Sequence, residues 1–279
     1  MPLWLVPLSI TPLALAAEPV LVGGPNPGGP APSTVEIVLS WAEVGLRPAV
    51  PESPAIGPDL LALGPEGAAA VYDPLGRRVV VVGGRAFPVA GADGLAFTAA
   101  GVLLVMDGTA RTLRAYDTDG ALLDEQAFPG LVPPGGTLSV TGGAFDTSAV
   151  LSVDAFGNGH PLAAVSAAGA LSAPTGAALV PPTRRVVRTG TSLLVDGARV
   201  ATLDGRGGGR LFGDWLLVEA MNDGAVSRTA IPLDGGAAVT LPVRGRVYAP
   251  SQDVAVGPDG SLGFLDPRAD GLYVVRVAP

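Results

Sequence analysis

The sequence predicts an all-β fold: a β-propeller of about six four-stranded blades, closed by an N-terminal strand (34–40) that joins the last blade. Three observations predict it. Glycine and proline punctuate short apolar runs, an Asp-marked strand–turn–strand unit recurs at nearly constant spacing, and a lone strand near the beginning matches one missing at the end.

The first observation is compositional. The 279 residues include 40 Gly and 28 Pro, a share at which disorder becomes plausible. Yet 48% of residues are apolar and only 15% are charged, the reverse of a disordered chain. The Gly and Pro residues fall between short Val/Leu runs, so they read as turns between strands.

The repeat is the second. The clearest copies run from Asp59 to Asp73, from Asp93 to Asp107 and from Asp253 to Asp266, at intervals of 14, 14 and 13 residues. Six residues after the second Asp comes an apolar residue each time, Val79, Leu113 and Leu272. Strands of about five residues joined by Gly turns make an antiparallel meander. One such small sheet cannot bury both faces alone, so copies must stack. Weaker copies are Leu138–Val153 ending at Asp154, Val186–Val195 ending at Asp196, and Leu211–Ala220 followed by Asn222-Asp223-Gly224. Six units over residues 45–279 give about 39 residues each, close to ordinary propeller repeats. The copy over 184–209 is short, which leaves five or seven blades open.

Closure is the third. The last copy supplies only three strands, and Thr34–Ser40 has no partner beside it in sequence. Adding it as the fourth strand of the last blade closes the ring and covers an exposed edge. An outer-membrane barrel would need longer alternating strands and aromatic girdles. Here aromatics are 5%, and Val79–Val82 and Leu103–Met106 are apolar on successive residues, as suits strands covered on both faces.

Before the propeller domain (34–279) come two segments of different character. Residues 1–17 read as a signal peptide: residues 2–17 carry no charge, and Ala14-Leu15-Ala16 fits the small-x-small cleavage rule. Residues 18–33 are dense in Pro and Gly without a period and read as a linker. The expected location is secreted or periplasmic, in the cell envelope, with no membrane span after signal removal.

Charge and residue types exclude several chemistries. A net charge of −8 repels phosphate backbones, so no nucleic-acid partner is expected. There is no Cys, which removes disulfides, thiolate nucleophiles and Cys-ligated zinc. All 17 basic residues are Arg, and the tightest cluster, Arg184, Arg185 and Arg188, reads as a solvated strand end. His160 is the single histidine and reads as a turn residue, without the Gly-x-Ser-x-Gly elbow of a serine hydrolase. Asp117-x-Asp119-Gly120 is half of a calcium loop and reads as a hairpin turn. Gly205-Arg206-Gly207-Gly208-Gly209 precedes no helix and is a poor phosphate cradle. Trp41 and Trp215 read as core or blade-interface residues.

The stretch Asp253–Val277 (DVAVGPDGSLGFLDPRADGLYVVRV) resembles a repeat of the NHL type, also found in gluconolactonase-like propellers; the Asp59 and Asp93 copies resemble it less closely. In such propellers the first strand of each blade lines the central channel. The resemblance therefore implies that Asp59, Asp93 and Asp253 lie near one rim of that channel, where carboxylates can hold Ca²⁺ or a polar ligand. The simpler reading is that each only caps its own strand. A gluconolactonase-like enzyme would need a Glu, Asn residues and an Asp converging on the channel. Asn26, Asn158, Asn222, Glu66 and Glu219 match none of those positions, so no cofactor and no catalytic residue is assigned.

The expected function is an exported, non-catalytic propeller that serves as a binding or scaffold module for a protein or surface polymer, with the rim Asp residues as candidate binding groups. Two alternatives remain: a divalent-metal-dependent lactonase or hydrolase, and a structural component of a cell-surface assembly.

Overall fold

The structure is a computed structural model that describes residues 20–21, 34–128, 137–142, 147–153, 159–174, 185–203, 206–222, 225–241, 246–250 and 252–278. Among the described residues the elements are β-strands and one 3₁₀ turn, Pro65–Gly67. Two strands precede the blades, β1 (Val20–Leu21) and β2 (Thr34–Leu39). Blade 1 holds β3 (Leu60–Leu63), β4 (Ala69–Asp73), β5 (Arg78–Val81) and β6 (Ala86–Pro88). Blade 2 holds β7 (Gly94–Phe97), β8 (Leu103–Asp107), β9 (Thr112–Tyr116) and β10 (Leu122–Ala127). Blade 3 holds β11 (Thr137–Gly142), β12 (Thr147–Val153), β13 (Gly159–Ser166) and β14 (Leu171–Ser172). Blade 4 holds β15 (Val186–Thr189), β16 (Ser192–Val195) and β17 (Ala198–Thr202). Blade 5 holds β18 (Arg206–Phe212), β19 (Trp215–Asn222), β20 (Ala225–Pro232) and β21 (Val239–Leu241). Blade 6 holds β22 (Val254–Val256), β23 (Leu262–Arg268) and β24 (Gly271–Val277).

Every blade is a four-stranded antiparallel sheet, six in all, and the protein is a six-bladed β-propeller. Blades 4 and 6 are completed from the N-terminal side. β2 pairs along its whole length with β24, from Thr34↔Val277 to Leu39↔Leu272, which is the closure expected from sequence. β1, inside the Pro/Gly-rich stretch, pairs with β17 through Val20↔Thr202 and Leu21↔Ala201. That pairing explains the short fourth copy: its outer strand comes from elsewhere in the chain, so the blade number is six.

Period-two alternation turns the sheets into a ring. In β3, Leu60 and Ala62 join a core shared with blade 2, while Leu61 and Leu63 join a core shared with blade 6. A strand wedged between two neighbours has no solvent face, so all four residues of β3 and all five of β8 are buried. Val79, Leu113 and Leu272, the apolar markers six residues after the second Asp, are fully buried. Trp215 and Phe264 fill the core between blades 5 and 6. The ring meets itself where Gln252 bridges Leu60 in parallel.

The turns follow the same repeat. Asp73 and Asp107 end the second strands of their blades, and each caps a four-residue turn: Asp73 Oδ1 accepts from the amides of Leu75 (3.0 Å) and Gly76 (3.0 Å), and Asp107 Oδ1 accepts from Ala110 (2.8 Å). Both turns end on an Arg in the left-handed region, Arg77 (φ 47°) and Arg111 (φ 56°). Gly120 shows why glycine recurs in these turns: its φ is +86°, and a Cβ there would collide with the Phe87 ring.

Candidate functional site

The inner strands enclose a cavity of about 530 Å³, lined mainly by residues of β3, β7, β11, β18 and β22. Among the described residues no charged side chain lines it. Its walls are chiefly Leu, Val, Ala and Phe, with Thr and Ser contributed by blade 3 and Gln252 at the rim.

Asp59, Asp93 and Asp253 each stand immediately before an inner strand, β3, β7 and β22. Gln252 ties the first two together. Its backbone amide donates to the Asp59 carbonyl (2.9 Å), and its side-chain amide donates to the Asp93 carbonyl (3.0 Å). The exposed Asp93 carboxylate accepts from the Gly108 amide (2.7 Å), which pins the β8–β9 turn to the start of β7. Asp253 does something different. Its carboxylate turns outward to Arg228 on β20 and to Arg246, whose Nη1 donates at 2.7 Å.

That pairing belongs to a longer chain of alternating charge: Glu219, Arg228, Asp253, Arg246, Asp266, Arg268 and Glu36. It runs from blade 5 through the loop before β22 to β23 and on to the closing strand β2. Asp266 is fully buried and accepts from Arg268 Nε (2.7 Å) and Arg246 Nε (3.4 Å). Burial opposes the Arg228 charge, but Asp253 and Glu219 outweigh it and hold the guanidinium pKa above its ordinary value. Sequence reading missed both Arg228 and Arg246, because no local spacing links either residue to Asp253.

Tyr248 lies beside the rim, its hydroxyl donating to the Pro58 carbonyl (2.7 Å). Its ring fills the space over Gly57, where a Cβ would come within 2.7 Å of ring atoms. Burial, followed by the charges of Asp59 and Asp73, pushes the Tyr248 pKa well above the ordinary tyrosine value, with Arg246 opposing. Burial raises Tyr72 and Tyr116 in the same direction. The folded state thus holds these protons more tightly than the unfolded chain does. Their stabilisation is complete below about pH 10 and is lost as pH climbs through the raised values. Urea unfolding between about pH 9 and pH 11 is expected to show falling stability, and Tyr248→Phe is expected to flatten that slope. An unchanged slope in the variant would remove Tyr248 from the account.

The other residues singled out from sequence have structural roles. Asp117 Oδ1 accepts from Asp119 (2.9 Å) and Ala121 (2.8 Å) amides, as a hairpin turn does. His160 corrects the turn reading: it is the second residue of β13, opposite Ser152. Gly207, Gly208 and Gly209 belong to inner strand β18, where a Cβ on Gly207 would collide with the Glu219 carbonyl. Arg188 donates to the carbonyls of Gly190 (2.9 Å) and Gly207 (2.6 Å), tying the inner strands of blades 4 and 5. Trp41 is half-buried and donates to the Ala269 carbonyl (3.2 Å). Arg184, Asp154, Asn158, Gly205 and Asp223 lie outside the described residues, as do residues 1–19 and 22–33 of the proposed signal peptide and linker. Among the described residues, no three of His, Cys, Asp or Glu converge as metal ligands, and no helix is long and apolar enough to cross a membrane.

No family model matches the chain, and no curated protein matches it. Among solved structures it is similar to a streptogramin B lyase, at 13% identity and a TM-score of 0.40, over 86% of this chain and 99% of that one. A selenomethionine-substituted virginiamycin B lyase from Staphylococcus aureus gives 9% identity and a TM-score of 0.36, over 89% and 99%. A member of the DUF4221 family from Bacteroides vulgatus gives 10% identity and a TM-score of 0.41, over 94% and 98%. Likeness at this level carries no chemistry across. By its own six sheets and its closing strand, the chain is a six-bladed β-propeller.

Proposed function

We propose that the protein is an exported, non-catalytic propeller that acts as a binding or scaffold module, meeting a protein or surface polymer through the rim that carries Asp59, Asp93 and Asp253. The observation that carries this reading is how the rim side chains are used. Asp253 is held by two guanidinium groups, and Asp93 fixes a neighbouring turn. Groups engaged in this way rigidify the loops around the ring, and rigidly held loops are natural contact surfaces. The NHL-like sequence of Asp253–Val277 supports a place among propellers of that type, many of which bind partners without catalysis.

The test immobilises the purified domain and challenges it with envelope proteins and polysaccharide from the native host. Asp93→Arg is expected to abolish specific retention, while reversal of Glu125 on outer strand β10 is expected to leave it intact. Equal retention by both variants would sink the rim as the contact surface. A stoichiometric divalent ion in the purified protein, together with an esterase activity abolished by Asp59→Ala, would replace this reading with that of a metal-dependent hydrolase.

A further inference from the structure

Five apolar clusters join neighbouring blades: 1 to 2, 2 to 3, 4 to 5, 5 to 6 and 6 to 1. Among the described residues, none joins blade 3 to blade 4. The sequence of β11, Thr137-Leu138-Ser139-Val140-Thr141, supplies the reason. Leu138 and Val140 pack towards blade 2, so alternation puts Thr137, Ser139 and Thr141 on the face turned away from it. Where other blades present aliphatic side chains to a neighbour, blade 3 presents three hydroxyls, spaced about 6.8 Å apart along the strand.

All three residues line the central cavity, and none is fully buried. Among the described residues none of the three hydroxyls has a hydrogen-bond partner. Leu63, Phe97, Phe212 and Val254, from four other blades, also line the cavity. Among the described residues the lining thus carries hydroxyls on blade 3 and is chiefly aliphatic and aromatic elsewhere, with Gln252 at the rim and no charged side chain. Its volume lies within the range of small-molecule sites.

We propose that the channel binds a small neutral amphiphile, with its hydroxyl or carbonyl groups on the Thr137–Ser139–Thr141 row and its apolar body against the Leu, Phe and Val wall. A charged ligand would meet no counter-charge among the described lining residues, at a cost that burial of its apolar part does not offset. The inference is independent of the rim reading, since Asp59, Asp93 and Asp253 are not among the residues that line the cavity.

The test is calorimetry on the full chain with three probes of equal chain length, each below its critical micelle concentration: octyl glucoside, octanoate and octyltrimethylammonium. Octyl glucoside is expected to bind at least about tenfold more tightly than either ion. The triple variant Thr137→Val, Ser139→Ala, Thr141→Val, which nearly preserves volume, is expected to weaken octyl glucoside at least about tenfold, as loss of two or three hydrogen bonds would. Ala255→Phe, which fills the channel, is expected to abolish binding. Octanoate binding as tightly as the glucoside, a triple variant that binds like wild type, or no glucoside binding at all would each overturn the proposal. Should either variant fail to fold, the three-probe comparison on the wild-type chain decides by itself.

Discussion

A chain lacking Thr34–Leu39 is expected to lose the closed ring and to aggregate. β2 covers six residues of β24, from Leu272 to Val277. Without it, those backbone groups become an open edge that templates pairing with a second chain. Leu39, 5% exposed, and Ile37 also belong to the core between blades 6 and 1, and Glu36 ends the ion-pair chain at Arg268. Loss of a core Leu alone costs about 2–5 kcal/mol, and domains of this kind have only about 5–15 kcal/mol in total. Thermal melts and light scattering would check this. Leu39→Asp, which keeps the strand but buries a charge, is expected to reproduce the thermal effect with less aggregation. Removal of Val20 and Leu21, which cover only two residues of β17, is expected to cost far less. A monomeric truncated chain with the melting point of the full-length protein would show that closure does not depend on β2.

Asp73→Ala is expected to be among the most destabilising single substitutions in the molecule, at about 3–5 kcal/mol. The side chain is fully buried and accepts from four donors: the amides of Gly45 (3.2 Å), Leu75 (3.0 Å) and Gly76 (3.0 Å), and Arg78 Nε (3.0 Å). Alanine removes the shared acceptor of four part-buried donors at once, and hydrogen bonds to a charged acceptor are worth more than neutral ones. The bond to Gly45 also joins the segment after β2 to blade 1, so the loss spreads to the closure. Asp117→Ala is the control. It removes similar turn hydrogen bonds from an exposed hairpin, where water replaces them, and is expected to cost about 1 kcal/mol or less. Urea unfolding of both variants at one pH checks the contrast. Equal losses would mean that the repeat Asp acts only as a local turn cap.

Sequence alone determined the architecture of this protein, and the reason is local. Short continuous apolar runs, Gly turns and the Asp pairs at 59/73, 93/107 and 253/266 are written in consecutive residues. The lone strand 34–40 was legible as the closing strand because three strands at the end of the chain lacked a fourth. Which face a side chain meets, and what stands there, was decided only by the ring. Asp59, Asp93 and Asp253 share a position in their repeats, yet Gln252 connects the first two while Arg228 and Arg246 draw the third away. The hydroxyls of β11 were visible as letters, but their meaning depends on a neighbouring blade far along the chain. Val20–Leu21 carries no signal that it belongs with residues 198–202. Strand formation is set by neighbours in sequence; partner choice is set by neighbours in space, and no short window contains them.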